Sequence, residues 1–350
     1  VTGHPDIGPG SAVIFSPDEQ KWLQFSHPVQ IIAAGQAGEV LEVMRRVEES
    51  VRRGGLYAAG FVSYEAAPAF DSALQVRTGQ GIPLAWFGLY DRVGTLRMPP
   101  DDGGAVDSLE WNATVSRSDY EKALHEIKAR IAAGITYQVN YTYRLRAPFR
   151  GDPWRYFQGL AGTARSGYPT YLDVGRWAVC SASPELFFRL DGDEVESRPM
   201  KGTAARGMML KEDDERARTL QASEKDRAEN LMIVDMIRND LGRVAETGSV
   251  AVPRLCTVER FPTVLQMTST VTARVTRSFT DLLAALFPCA SVTGAPKVST
   301  MRIIAELEST PRGLYTGGIG FLAPAGSGIR AQFSVAIRTV TVDRQAGVAE

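Results

Sequence analysis

Apolar positions recur along this chain at two spacings. In "EVLEVMRRVEESVRR" (39–53) and "SRSDYEKALHEIKARIAAG" (116–134) the repeat is helical, and Tyr120, Ala123, Leu124, Ile127 and Ile131 share a face. Ser118 with Glu121 three residues on predicts a capping box, and Gly134 a helix stop. "TYQVNYTYRLR" (136–146) alternates and is rich in β-branched and aromatic residues, which predicts a strand. "LYAAGFVSYEAA" and "LAWFGLYD" before it, and "PTYLDVGRWAVCSASPELFFRLDGDEVESRPMKGT" after it, read as strands, the last group broken by Gly/Asp turns. A long helix is predicted over "SEKDRAENLMIVDMIRNDLG", with Ser223 as cap, acids in the first turn and Gly242 as stop. Its stretch "AENLMIVDMI" is apolar almost all round, so this helix is expected to be buried. Strands return in "GSVAVPRLCTVERF" and "TVLQMTSTVTARV", helices in "SFTDLLAALF" and "APKVSTMRIIAELES" with Pro296 in the first turn, and the chain closes on a hairpin from Tyr315. Runs of neighbouring strands with short turns predict an α+β fold: large antiparallel sheets with helices packed outside.

Composition narrows the function. The 350 residues carry a formal net charge of −1, so no bulk field draws nucleic acid or an anionic membrane. No apolar run reaches bilayer-spanning length, and "VTGHPDIGPGSAVIF" lacks a basic-then-apolar signal pattern. Three widely spaced cysteines, Cys180, Cys256 and Cys289, suit a reducing compartment. The expectation is a cytoplasmic protein. "PPDDGGAVDS" (99–108) is the one breaker-rich linker candidate, dividing residues 1–98 from 109–350. The three histidines are His4, His27 and His125. Chemistry in the larger part downstream of His125 therefore falls to lysine and carboxylates, with a hard cation as a possible aid.

Candidate residues follow from local context. In "SRPMKGTAARG" a lysine, Lys201, is framed by Pro199 and Gly202, with Thr203 beside it, and a constrained turn is expected there. A pyridoxal Schiff base would need a phosphate cup and a pyridinium partner that the sequence does not display. A serine–lysine hydrolase would want serine three residues earlier, and Ser197 is four earlier. A nucleophilic amine of lowered pKa stays open, beside the ordinary reading of a solvated lysine. Glu185 in "SASPELFF" either ends a strand or is a buried acid able to protonate a leaving hydroxyl. Glu229, with Asp226 a turn earlier, is either a helix-start acid paired with Arg227 or Arg238, or a Mg²⁺ ligand. "SVTGAPKVST" fails the phosphate-loop pattern. "YTGGIG" offers unshielded backbone N–H groups for a carboxylate. Arg338, after an apolar strand, is expected to be buried against an anion. No cysteine nucleophile in a glycine-rich elbow is visible, so no glutaminase is expected within the chain.

In order along the chain, "ITYQVNYT", "SASPELF", "PMKGT", "SEKDRAENLMIVDMIRNDLG", "VTGAPKVSTMRIIAELE", "YTGGIGF" and "AIRT" resemble the chorismate-utilising enzymes. That family includes component I of anthranilate synthase and of aminodeoxychorismate synthase, and the isochorismate and salicylate synthases. The resemblance implies one intertwined fold whose sheets face each other over the active site. It implies Mg²⁺ on the ring carboxylate with Glu229 as a ligand, Gly202 and Thr203 on that side, and Glu185 as the acid for the ring hydroxyl. It implies that Tyr315, Gly317, Ile337 and Arg338 line the enolpyruvyl carboxylate pocket. Where water-adding members carry a lysine, this chain has Gln138, which favours ammonia as the final nucleophile. Lys201 stands where the aminodeoxychorismate synthase branch has its lysine, which is held to attack the ring before ammonia displaces it. The implied reaction is amination of chorismate to 4-amino-4-deoxychorismate on the route to 4-aminobenzoate and folate. The implied partners are a glutamine amidotransferase subunit that supplies ammonia and a downstream aminodeoxychorismate lyase, separate or fused. The alternatives are anthranilate synthase component I and a non-catalytic chorismate-binding paralogue. The family's C-terminal acidic stretch, with a second Mg²⁺ ligand, is not found before Glu350, so the metal site is expected to be incomplete.

Overall fold

The computed structural model describes residues 7–79, 81–98, 109–163 and 167–350, so the linker candidate at 99–108 and His4 lie outside it. Two antiparallel sheets dominate. One runs in the order Gly94–Leu96, Lys21–Phe25, Ala12–Ser16, Thr170–Val174, Trp177–Ser181, Thr339–Asp343, Val348–Ala349, Leu145–Pro148, Asn112–Ala113. The other runs Met200–Ala205, Val264–Arg274, Glu194–Arg198, Leu186–Asp191, Ala331–Val335, Gly318–Leu322, Tyr57–Val62, Ala85–Tyr90, Gln30–Ala34, with Ala251–Arg260 pairing Val264–Arg274 as well. Strands from before residue 99 and from after residue 109 enter both sheets.

Side-chain alternation explains the layers. In Ala12–Ser16, Ala12 and Ile14 pack into a cluster with Ala59, Phe61, Trp86 and Ile319 of the second sheet. Val13, between them, packs outward against Phe157 of the helix Pro153–Thr163. In the second sheet Ala59 and Phe61 face the first sheet, while Ala58 and Val62 face the helices Ala37–Arg52, Glu224–Gly242 and Phe279–Leu286. Each central strand is thus buried on both faces, which is why its pattern reads as a continuous apolar run. Among the described residues no helix is long and apolar enough to cross a membrane.

Several expectations need local correction. The helix Arg117–Ala132 is capped by Ser116, not Ser118: the Ser116 hydroxyl accepts the Asp119 amide. The predicted strand 136–146 survives as Gln138–Val139 and the start of Leu145–Pro148. Between them Asn140 and Thr142 turn their amides to Thr293 and Glu308 rather than to a ladder. Pro296 is the N-cap of Lys297–Leu307 instead of its first turn. The helix Glu224–Gly242 starts at Ser223 as expected, yet Leu231 is exposed, so only one face is buried. The helices Pro153–Thr163 and Leu210–Ala222 were not anticipated from the pattern.

Gly60 and Gly320 oppose each other across Tyr57–Val62 and Gly318–Leu322. A Cβ on Gly320 would lie 1.9 Å from the Gln332 carbonyl oxygen, and one on Gly60 2.0 Å from that of Trp86. Neither backbone neighbour can swing aside as a side chain could. Gly320→Ala is therefore expected to lower stability by about 1–3 kcal/mol or more, read as a drop in melting temperature; an unchanged melt would contradict this packing.

Candidate functional site

One end of the second sheet gathers the residues of interest. Leu186 pairs with Arg198 and Ser334, and Gly318 pairs with Val335, so the starts of two strands and the ends of two others share a row there. Glu185 immediately precedes Leu186, and the Val335 amide donates to its carbonyl. Lys201 does not sit in a turn, as the sequence suggested, but in the strand Met200–Ala205. Met200 pairs with Thr268 and Thr203 with Gln266, so one extra residue is carried between them. Such a bulge re-aims the side chain within it. Gly202 supplies the required left-handed backbone at φ +95°, and a Cβ there would press on Asp226 at 2.9 Å. Glycine after the lysine thus follows from both torsion and space.

The Lys201 ammonium donates to Asn140 Oδ1 at 3.3 Å. Burial lowers its pKa, with Glu185, Glu229 and Cys289 pulling the other way. Glu185 is 3% exposed, and burial pushes its carboxyl up to about 7 against the Ser291 hydroxyl, Lys201 and the Met200 amide. Its Oε1 is buried without a hydrogen-bond partner. Burial likewise pushes the neighbouring Cys289 thiol up to about 12, so it is not a thiolate. A half-buried amine and a buried acid, each shifted toward its neutral form, share one wall. That pairing can deliver a lone pair and a proton to one bound molecule.

The opposite strand pair is two residues long: Gln138–Val139 against Gly294–Ala295. Gly294 has φ +137°, and a Cβ there would meet the Gln138 carbonyl oxygen at 2.1 Å. The segment rejected as a phosphate loop therefore serves to bring its backbone against Gln138. Gln138 Oε1 is a second buried oxygen without a partner. Asn140, just beyond, is locked: its amide N–H donates to Thr293 O, its side-chain Nδ2 to Ser291 O at 3.1 Å, and its carbonyl accepts from Arg312 Nη2 at 2.6 Å. Arg312 forms a buried ion pair with Glu308, also donates to Val292 O and Thr316 Oγ1, and lies over the Tyr64 ring. Asn140, Ser291, Glu308 and Arg312 were missed from the sequence. The i, i+4 spacing of Glu308 and Arg312 across a helix end was the available signal.

The remaining candidates divide. Glu229 is half-buried on the helix beside Lys201, and its carboxylate takes no hydrogen bond or ion pair among the described residues. Arg238, offered as its partner, pairs with Asp235. Thr203 is exposed and donates to Gln266 Oε1 at 2.9 Å. Arg338 is exposed, contrary to expectation, with φ +50°. With Tyr315 it lines a cavity of about 950 Å³ whose wall includes Glu65, Arg144 and Arg312 but not Lys201, Glu185 or Glu229. The amides of Tyr315, Thr316 and Gly317 all donate to backbone carbonyls, so they are not the free N–H groups the sequence suggested. Ile337 closes a tight turn, its amide donating to Val335 O. Asn140 connects the amine to this cavity: its Oδ1 meets Lys201 and its carbonyl accepts from Arg312, which lines the cavity.

Among the described residues no group of three or more His, Cys, Asp or Glu side chains is close enough to hold a metal. A magnesium ion is commonly held by one or two carboxylates and completed by water and substrate oxygens. The unpaired Glu229 carboxylate fits that smaller donor set.

The sequence matches the family described as chorismate binding enzyme over residues 95–349. Aminodeoxychorismate synthase component 1 of Salmonella typhimurium is 44% identical over 66% of this chain and 51% of its own length. The same enzyme component of Escherichia coli is 42% identical over 66% and 51%. Anthranilate synthase component 1 of Aquifex aeolicus is 38% identical over 67% and 47%. The chain spans about half the length of these curated relatives. Anthranilate synthase component I of Streptococcus pneumoniae superposes with a TM-score of 0.80 at 24% identity, covering 98% of this chain and 86% of that one. That likeness bears out the α+β fold of large antiparallel sheets.

Burial carries a stability signature. The unfolded chain releases the Glu185 proton near its ordinary 4.5, whereas the fold holds it to about 7. Stability therefore falls as pH rises between those values and stays reduced above them, by at most about 3 kcal/mol. Glu65, also pushed up to about 7, adds a dependence of the same sign. Glu185→Gln is expected to raise the melting temperature near pH 8 and to change it little near pH 4.5; a pH-independent difference would contradict the buried-acid description.

Proposed function

The chain belongs to the chorismate-binding enzymes, and on that premise we propose that it aminates chorismate to 4-amino-4-deoxychorismate. The observation that carries this reading is the Lys201 amine, shifted toward neutrality and sharing an enclosed wall with the raised carboxyl of Glu185. Neutral Lys201 attacks the ring as the hydroxyl departs; Glu185 protonates it, and it leaves as water. Ammonia then forms its bond to the same carbon while the bond to Lys201 breaks, and the lysine returns as an amine. The proton shed by the incoming nitrogen reloads Glu185, so the enzyme ends as it began. The orphaned Oε1 atoms of Glu185 and Gln138 provide acceptors near the incoming amine. Glu229 would hold Mg²⁺, which supplies positive charge to the ring carboxylate. Tyr315 and Arg338 would take the second carboxylate, together with Gly317 and Ile337, and Gly202 and Thr203 would lie on the ring-carboxylate side. Ammonia would come from a glutamine amidotransferase subunit and the product would pass to a lyase, in a cytoplasmic route to 4-aminobenzoate and folate. The relatives named component 1 support a partnered role.

The relatives that are anthranilate synthases favour one second reading, loss of the enolpyruvyl group to give anthranilate. Incubation with chorismate, Mg²⁺ and ammonium, read by mass spectrometry, separates them. The expected product keeps the enolpyruvyl group and exchanges one hydroxyl for an amine; fluorescent anthranilate would favour the second reading. Lys201→Ala is expected to lower amination by about 10³-fold or more with an unchanged melting temperature, and near-normal turnover would remove the covalent role.

A further inference from the structure

The geometry points to Asn140 as the positioning residue for the Lys201 amine, a role that rests on the reading of Lys201 as the attacking group. The side chain of Asn140 has one possible orientation. Its Nδ2 donates to the Ser291 carbonyl at 3.1 Å and its Oδ1 faces the Lys201 nitrogen at 3.3 Å. A flipped amide would set oxygen against the Ser291 carbonyl, a repulsive contact of two acceptors, and would turn N–H groups toward the amine, where they would tie up its lone pair. The backbone is held as firmly, by Thr293 O on its N–H and by Arg312 on its carbonyl.

A neutral amine has two N–H bonds and one lone pair. Engaging one N–H with a fixed acceptor restricts where the lone pair points, and it points away from Asn140. The acceptor is also uncharged. A carboxylate in the same place would favour the ammonium form, which has no lone pair to offer. The groups already facing this amine are Glu185, Glu229 and Cys289; a neutral amide adds a hold on it without adding a further anion. Ser291 extends the arrangement, since its carbonyl anchors Asn140 while its hydroxyl faces the Glu185 carboxyl. One short turn, Ala290–Val292, therefore sets the amine and the acid relative to each other.

The test compares Asn140→Ala, Asn140→Asp and Lys201→Ala in the full chain. Amination of chorismate with ammonium gives kcat and KM separately. Brief acetic anhydride labelling, read by peptide mass as Lys201 relative to Lys211, reports the amine without needing turnover. Asn140→Ala is expected to lower kcat by about 10–100-fold, to leave the chorismate KM within about twofold, and to change Lys201 labelling but not Lys211. Asn140→Asp, which keeps size and an acceptor, is expected to lose kcat as well and to label more slowly at Lys201. Wild-type kcat and labelling in Asn140→Ala, with Lys201→Ala inactive, would overturn the inference while leaving the amination reading intact. A raised KM at unchanged kcat would overturn it too. If Asn140→Ala melts early, Asn140→Asp decides, and wild-type kcat there overturns the inference. Turnover surviving in Lys201→Ala would instead overturn the parent reading, and unchanged Lys201 labelling in both Asn140 variants would remove the contact itself.

Discussion

Desolvation of two ionisable groups in one wall is the constraint on which the site depends. In water Lys201 and Glu185 would both be charged. Desolvated beside each other, the amine is drawn down and the carboxyl is drawn up to about 7, so each sits closer to the form that chemistry near neutral pH requires. Mutual attraction opposes both shifts and does not cancel them. The fold sustains this because sheet geometry, not the pair itself, sets the positions. A bulge aims Lys201, and the start of Leu186–Asp191 fixes Glu185. Gly202 lets the helix Glu224–Gly242 approach the strand beside Lys201, and Gly294 lets the strand Gln138–Val139, which leads into Asn140, approach the Gly294 backbone.

A second buried charge has a different role. Arg312 and Glu308 are almost fully enclosed, and the arginine's remaining donors reach Val292, Asn140 and Thr316. Removing one partner of such a pair leaves an uncompensated charge, so the ion pair acts as a rigid post rather than as a titrating group. It links the segment 290–293, the loop after Gln138–Val139 and the turn before Gly318–Leu322. On one side stands the amine and acid; on the other is the cavity with Tyr315 and Arg338. The chemistry and the cavity are therefore linked through Asn140, which meets Lys201, and Arg312, which donates to the Asn140 carbonyl and lines the cavity.

Much of this architecture was legible in the sequence, and the failures share a cause. Strands buried on both faces announce themselves as apolar runs, and Ser223 and Ser278 mark helix starts by chemistry that is local in the chain. Lys201 and Glu185 stood out because proline, glycine and apolar neighbours constrain them, and Gln138 only through the family resemblance. Asn140 did not, because an asparagine in an alternating β-like stretch looks like an exposed strand position; only Thr293, Ser291 and Arg312, more than a hundred residues away, make it a fixed amide. Arg338 was misjudged for the converse reason. Apolar neighbours suggested burial, whereas a left-handed backbone at that residue turns the guanidinium outward. The cap at Ser116 was a choice between two serines in one turn, and the partner amide of Asp119 settles it.

The central claim is that the amine of Lys201 bonds covalently to the substrate ring. It is tested most directly by incubating the protein with chorismate and Mg²⁺ in the absence of any ammonia source, quenching in acid, and mapping peptide masses. The account predicts an added mass of chorismate less one water, confined to the peptide that carries Lys201. An unmodified Lys201 in protein that still aminates chorismate once ammonium is supplied would contradict it.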